Sequence, residues 1–220
     1  MKIHAVHGKG LCSNCFLLES ETEKKMIIVD LGLPGILTNF KLKKAVDRIT
    51  EKKTDYEIEV FLTHCHVDHV TGRNNLKDYK NIIFSASKLA AEHINARDNV
   101  TLVSKYGLKI TFEVSKIYNN NDLITFDDTQ LKIIYAPGHT DGSAVLYDLK
   151  VKNLFSGDVV FAGGACGRMD FPTGNKDKMI ESLQNLAQLE LNGLYSGHGE
   201  DLLTNVQANI LSAKNMLEYW

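Results

Sequence analysis

The chain has 220 residues, of which 44% are hydrophobic, and its formal net charge at pH 7 is −2. This length and apolar content favour one globular domain over residues 1–220 with a sizeable core. The charge, without a long basic run, disfavours a nucleic-acid partner, and the lack of any apolar run of about 18 residues disfavours a membrane partner. The first residues also lack the apolar core of a signal peptide, so we expect a cytoplasmic protein.

The first quarter of the chain predicts three strands and then a helix. β-branched and aromatic residues, with a glycine-containing turn after the first strand, predict an antiparallel start to a sheet. Pro34 suits the first turn of a helix, and apolar residues after it form a partial stripe. The predicted strands span 2–7, 12–19 and 25–30, and the predicted helix spans 34–52.

A dense cluster of candidate metal ligands follows the next predicted strand, Glu57–Leu62. His64 and His66 are two residues apart, so on an extended chain both imidazoles project from the same side. Asp68 and His69 come after the turn and can reach a second point nearby. Imidazole and carboxylate ligands suit zinc, iron or manganese at a catalytic site. The alternative is an incidental cluster of polar residues, which would leave crowded polar groups without partners.

Two cysteines, Cys12 and Cys15, form a CxxC pair. No second pair completes a zinc site and no helix pattern typical of redox motifs follows, so we interpret both as buried thiols. Cys65 lies between two candidate ligands and is not itself assigned as one.

The rest of the chain predicts alternating short strands and helices, typical of a mixed α/β fold. Ser87 is a candidate N-cap for one of the helices. The expected elements are a turn and short helix at 70–79, a strand at 81–85, a helix at 87–95, several strands within 99–136, a hairpin at 143–149 and 153–156, a helix at 177–189, a strand at 194–196 and a helix at 204–219.

Three isolated residues, His139, Asp158 and His198, also follow predicted strands, as the cluster does. Each follows a short apolar or aromatic strand-like run and has glycine beside it, and glycine allows the tight path that delivers a side chain from a strand end. One such residue would be an ordinary loop residue. The threefold repetition indicates a shared role.

Taken in this order, these residues resemble the metallo-β-lactamase superfamily of metal-dependent hydrolases. The resemblance extends from His64 to His198 and implies a four-layer αβ/βα sandwich with the site at one edge. It also implies two divalent metal ions, with zinc expected and iron or manganese as alternatives. By resemblance, His64, His66 and His139 bind one ion, Asp68, His69 and His198 bind the other, and Asp158 bridges them.

A glycine-rich loop over 163–172 resembles the Cys-Gly-Arg loop of glyoxalase II, also called hydroxyacylglutathione hydrolase. The resemblance implies hydrolysis of a small-molecule thioester by a metal-bridging hydroxide, with Asp68 and Asp158 as catalytic residues. In that family a basic residue matching Arg168 contacts the thiol part of the substrate, and a guanidinium suits a carboxylate. Two departures stand out: only 22 residues follow His198, so we expect no C-terminal helical extension, and Asp141 replaces the usual proline.

Two other activities stay open. Persulfide dioxygenases also resemble this sequence, including an Arg-x-Asp-Phe loop like residues 168–171, and there the residues matching His64, His139 and Asp158 bind a single iron. A lactonase is a further possibility. The acyl group, the thiol and the oligomeric state are not predicted.

Overall fold

The computed structural model describes residues 1–219 and contains two β-sheets that face each other, with helices on both outer faces. The first sheet has six strands that lie in chain order, β1 (Lys2–Val6), β2 (Cys15–Glu19), β3 (Lys25–Val29), β4 (Glu57–Leu62), β5 (Ile82–Ser87) and β6 (Lys116–Tyr118). The second sheet has five strands, β7 (Leu123–Phe126), β8 (Thr129–Tyr135), β9 (Ala144–Asp148), β10 (Asn153–Gly157) and β11 (Gly193–Ser196), in the spatial order β11-β10-β9-β8-β7.

The α-helices differ widely in length. They are α1 (Lys41–Ile49), α2 (Val67–Val70), α3 (Lys88–Ala96), α4 (Val103–Tyr106), α5 (Lys176–Leu186) and α6 (Val206–Tyr219). Short 3-10 helices lie at Gly35–Leu37, Gly72–Leu76 and Asn99–Thr101. None of these helices has the length and apolar character needed to cross a lipid bilayer.

Both sheets combine parallel and antiparallel pairs. Strands β1, β2 and β3 are antiparallel, as predicted, whereas β3 to β6 are parallel to one another. In the second sheet only the β10–β11 pair is parallel. Helix α3 comes between β5 and β6 in the chain and belongs to the crossover connection that two parallel strands need.

Three apolar clusters make this a four-layer αβ/βα sandwich, which confirms the predicted fold class. Side chains alternate along β4, so Val60 packs towards the helices α1 and α3 while Phe61 packs between the sheets. On the far side, Leu154 of the second sheet packs against Leu183 of α5 and Ile210 of α6. Each sheet therefore buries both of its faces.

Three predicted elements differ from the structure. Strand β2 begins at Cys15 and not at residue 12, because Asn14 bonds to a distant loop. The helix predicted over 34–52 is a 3-10 turn followed by α1, separated by Phe40 in the left-handed conformation at φ 54°. The strands predicted within 99–136 begin only at Lys116, because Asp98 accepts a hydrogen bond from the Val100 amide and starts a 3-10 helix.

Candidate metal centre

The seven predicted ligands all lie at one edge of the sandwich, where several strands end. His64 and His66 follow β4, His139 follows β8, Asp158 follows β10, and His198 follows β11. Backbone contacts tie these strand ends together, since the Ala144 amide donates to the carbonyl of Thr63 and the Gly197 amide to that of Gly157. Residues more than 130 positions apart in sequence therefore meet in one small volume.

The one-turn helix α2 separates the two halves of the cluster. His66 is its N-cap residue in an extended conformation, and Asp68 and His69 lie within the turn. The Leu31 amide donates to the carbonyl of His69 at 2.8 Å, which links this turn to the end of β3. The turn after His66 redirects the chain so that Asp68 and His69 face a second point, as the sequence predicted.

Ligand atoms converge in overlapping groups whose members all lie within 4.8 Å of one another. The groups are His64, His66 and His139; Asp68, His69 and His198; and His64, His69 and Asp158. The first two groups are the two sets of three that the resemblance implied.

Asp158 lies between these two sets. Its Oδ1 is 3.2 Å from Nε2 of His69, and its Oδ2 is 3.6 Å from Nε2 of both His139 and His198. Asp68 belongs to the second set only, with Oδ2 3.1 Å from Nε2 of His198. A carboxylate whose oxygens lie near ligands of both sets has the position of a bridging ligand.

The donor atoms themselves indicate that these residues fit divalent metal ions. Nε2 of His64, His66 and His69 and Oδ1 of Asp158 are buried and have no hydrogen-bond partner. Buried polar atoms are normally paired, because leaving one without a partner costs about 1–3 kcal/mol. These unpaired atoms belong to residues whose ligand atoms converge, and they match a ligand set of imidazole and carboxylate, which suits zinc, iron or manganese.

Outer residues hold the histidine rings by their other nitrogens. His139 donates from Nδ1 to the Arg168 carbonyl at 2.6 Å, and His69 Nδ1 lies 2.7 Å from Oδ2 of Asp30. Thr63 donates from its hydroxyl to Asp30 and lies 3.1 Å from Nδ1 of His64. Such partners fix the tautomer and leave Nε2 of His69 and His139 directed inward.

Asn14 is a site residue that the sequence reasoning missed. Its side-chain amide donates to the carbonyls of Ser196 and Gly199, and its backbone amide donates to that of Gly197. These bonds cross about 180 positions and brace the loop that presents His198. No local motif marks Asn14, because its partners are distant in the chain.

The pKa values of the clustered histidines follow burial and charge. Burial, together with the neighbouring His139, lowers the pKa of His66 to about 3, and burial and nearby histidines lower that of His64 well below its ordinary range. Burial also opposes charge on His69, but Asp158, Asp30 and Asp68 overcome it and raise its pKa. Neutral imidazoles at His64 and His66 are the form in which histidine binds a metal.

A cleft of about 250 Å³ opens onto the cluster. His66, Asp68, His139, Asp158 and His198 form part of its floor, and aromatic and aliphatic side chains form its walls. The wall residues include Leu11, Leu102, Tyr106, Phe161, Phe171 and the predicted substrate-binding residue Arg168. A larger opening of about 690 Å³ between the sheets contains none of the seven ligands, so the smaller cleft is the candidate active site.

Other candidate groups lie outside the cluster. His4 pairs with Glu19 and His7 with Asp201. Cys12 and Cys15 are buried free thiols, as interpreted from the sequence, and Cys65 is buried in the apolar cluster beneath the first sheet. None of these residues belongs to a metal-ligand group in the described part of the chain.

Comparison with known proteins shows the family of the chain. The family model of the metallo-beta-lactamase superfamily matches residues 9–198. A probable metallo-hydrolase of Methanocaldococcus jannaschii is 31% identical over 200 residues, which is 89% of this chain and 91% of the relative. A hydroxyacylglutathione hydrolase of Haemophilus influenzae is 28% identical over 211 residues, 90% of this chain and 91% of the relative.

A solved structure shows the same architecture. The crystal structure of the BLEG-1 B3 metallo-beta-lactamase superposes with a TM-score of 0.78 at 19% identity, covering 98% of this chain and 99% of that one. The match of the family model over residues 9–198 shows that the chain belongs to the metallo-beta-lactamase superfamily.

Proposed function

We propose that this protein is a thioester hydrolase of the glyoxalase II type with a dinuclear metal site. The observation that supports it most strongly is the pair of three-residue ligand sets with Asp158 between them. The similarity to a hydroxyacylglutathione hydrolase along nearly the whole length of both chains supports thioesters as the substrate class.

We assign His64, His66 and His139 to one ion, Asp68, His69 and His198 to the other, and Asp158 to both. Zinc is the expected metal, and iron or manganese would suit the same imidazole and carboxylate ligands. When bound, such ions lower the pKa of coordinated water and polarise a carbonyl oxygen.

The chain's own residues supply the remaining parts of the reaction. Asp68 is 7% exposed and borders the cleft, where its carboxylate can orient the attacking water and accept its proton. The apolar walls exclude bulk water around the scissile carbonyl, which strengthens each polar contact made there. Arg168, at the edge of the cleft, is the candidate contact for the thiol half of the substrate.

Metal content and turnover test the proposal together. We expect about two equivalents of metal per chain by elemental mass spectrometry, and hydrolysis of S-lactoyl thioesters that a chelator abolishes and added zinc restores. The variant Asp158→Asn is measured in parallel, and it should lose both the bound metal and the hydrolysis of thioesters. Protein with two metal equivalents that hydrolyses no thioester would overturn the assignment. One equivalent of iron, with oxygen uptake on a persulfide, would instead identify a dioxygenase.

A further inference from the structure

Two cations meet at one aromatic ring on the rim of the cleft. The guanidinium carbon of Arg168 lies 4.6 Å from the centre of the Phe171 ring, and Nζ of Lys105 lies 5.3 Å from it. Both distances are within the range of a cation–π contact. The Phe171 ring lies 5.6 Å from the ring of His66, so both cations are one aromatic ring away from a candidate metal ligand.

Arg168 is partly neutralised by its own loop. Its Nε donates to Oδ1 of Asp170 at 2.9 Å and its Nη2 donates to Oδ2 at 2.5 Å. This two-bond pairing uses one edge of the guanidinium and fixes its plane. Among the described residues Nη1 has no such partner, so one edge of Arg168 stays available to a ligand.

Lys105 comes from a different part of the chain, the short helix α4. Its side chain is exposed, and no carboxylate in the described residues pairs with it. Its charge nevertheless reaches the same loop, since the pKa of Asp170 is lowered first by Arg168 and in smaller part by Lys105. Lys105, Arg168 and Asp170 together give this rim a formal charge of about +1, which matches one carboxylate.

We propose that Lys105 is a specificity-determining residue that, together with Arg168, binds a single carboxylate on the thiol half of the substrate. The inference rests on the thioester hydrolase function and specifies its substrate class. Because Phe171 contacts both cations and its ring lies 5.6 Å from the ring of His66, the carboxylate and the scissile carbonyl belong to one short molecule, such as a thioester of an N-acylated cysteine.

Two substrates that differ by one carboxylate test this directly: S-lactoyl-N-acetylcysteine, which has it, and S-lactoyl-N-acetylcysteamine, which lacks it. For the metal-loaded protein we expect kcat/KM to be about three- to fivefold higher for the anionic thioester, as for an exposed charge pair. This preference should decrease as salt is raised.

Variants at Lys105 and Asp170 should change the preference for the anionic thioester in opposite directions. Lys105→Met should bring the ratio of the two kcat/KM values close to one, and Lys105→Arg should retain it. Asp170→Asn removes the competing carboxylate and should increase the ratio. Lys80→Met, which removes an exposed lysine at the opening between the sheets, should leave the ratio unchanged. A merely structural role for Lys105 would change turnover of both substrates equally.

The outcomes separate this inference from the proposed function. Hydrolysis of both thioesters at equal efficiency, or a preference that survives Lys105→Met, would overturn the carboxylate site alone. If neither thioester is hydrolysed, calorimetric titration with the inert S-methyl-N-acetylcysteine and S-methyl-N-acetylcysteamine still decides the matter. Tighter binding of S-methyl-N-acetylcysteine, with a loss of that advantage in Lys105→Met, would support the site. Equal binding of the two compounds would refute it.

Discussion

Asp30 accepts a hydrogen bond from Nδ1 of His69 over 2.7 Å, and both side chains are almost completely buried. A carboxylate can only accept, so this bond directs Nε2 of His69 towards Asp158 and Asp68. Asp30 has φ 60° and also accepts from the amide and hydroxyl of Thr63. One residue at the end of β3 thus positions both the ring of His69 and the segment that begins the ligand cluster.

Replacing Asp30 by Asn should weaken metal binding without unfolding the chain. Asparagine tolerates a positive φ, but its neutral amide no longer orients and polarises His69. We expect affinity for the second metal to fall about 10- to 100-fold, measured by competition with a chelator. Asp55→Asn, at an exposed ion pair with Lys24, is the control and should bind metal normally. Equal affinities in the two variants would contradict the positioning role of Asp30.

His66→Ala should reduce the metal content of the protein from about two equivalents towards one, with a loss of hydrolysis. It removes a ligand from the set that contains His64 and His139 and leaves the other set complete. Elemental mass spectrometry and thioester turnover on the same samples give the measurement. Wild-type metal content with wild-type activity would rule out His66 as a ligand.

Gly197→Ala should disrupt the site by direct collision. A Cβ at this position would lie 2.3 Å from Oδ1 of Asp158 and 2.8 Å from Cε1 of His69. Gly199→Ala is the matched control, since it lies in the same loop, has φ 81° and would meet no atom within 4 Å. We expect the control to cost about 1 kcal/mol of folding free energy through backbone strain and to keep its metal, whereas Gly197→Ala loses it.

Arg168→Ala should raise KM for a carboxylate-bearing thioester by about two- to fivefold and leave kcat nearly unchanged, because the contact is exposed and remote from the reacting carbonyl. Steady-state kinetics on the anionic and neutral thioesters provide the measurement and its internal control. An unchanged KM for the anionic thioester would exclude Arg168 from substrate binding.

His93 links α3 to the loop of His139 and predicts a pH-dependent contribution to stability. Its ring lies 2.6 Å from Asp98 and 3.1 Å from Asp141, and these carboxylates outweigh burial and raise its pKa. The protonated ring therefore stabilises the folded state fully below pH 6.5, and this contribution is lost as the pH rises through the raised pKa.

Urea unfolding of wild-type and His93→Gln protein at pH 5.5 and 8.5 measures this contribution. We expect the variant to lose about 0.5–1 kcal/mol of unfolding free energy at pH 5.5 and less at pH 8.5, since the pair is partly exposed to solvent. A difference that is independent of pH would show that His93 acts through packing alone.

The spacing of the ligands could be predicted from the sequence for a physical reason. His64 and His66 project from one side of an extended segment, and the chain turns before Asp68 and His69, so local geometry alone aims them at two nearby points. Strand β4 was predicted with its observed bounds, because β-branched and aromatic residues (Ile58, Val60 and Phe61) make up its buried part.

Predictions of helices and strands from local sequence pattern failed where single residues or distant contacts set the backbone conformation. The helix predicted over 34–52 begins later than expected, at Lys41, because Phe40 adopts φ 54° and packs close to Gly35, where a Cβ would lie 2.3 Å from its ring. The strands predicted within 99–136 begin only at Lys116, since the Asp98 cap starts a 3-10 helix at the head of this segment. Helical and strand periodicities cannot register such single-residue effects.

The sequence by itself determined the candidate ligands, because residue type and spacing suffice to define a metal-binding motif, and the resemblance of that motif to the superfamily implied the fold class. Only the tertiary structure decided how those residues meet: that Asp158 lies between the two sets, that Asn14 braces the loop of His198, and that Lys105 joins Arg168 at Phe171. These relationships depend on strand ends and loops brought together by packing of the two sheets, and no local spacing encodes a contact of that range.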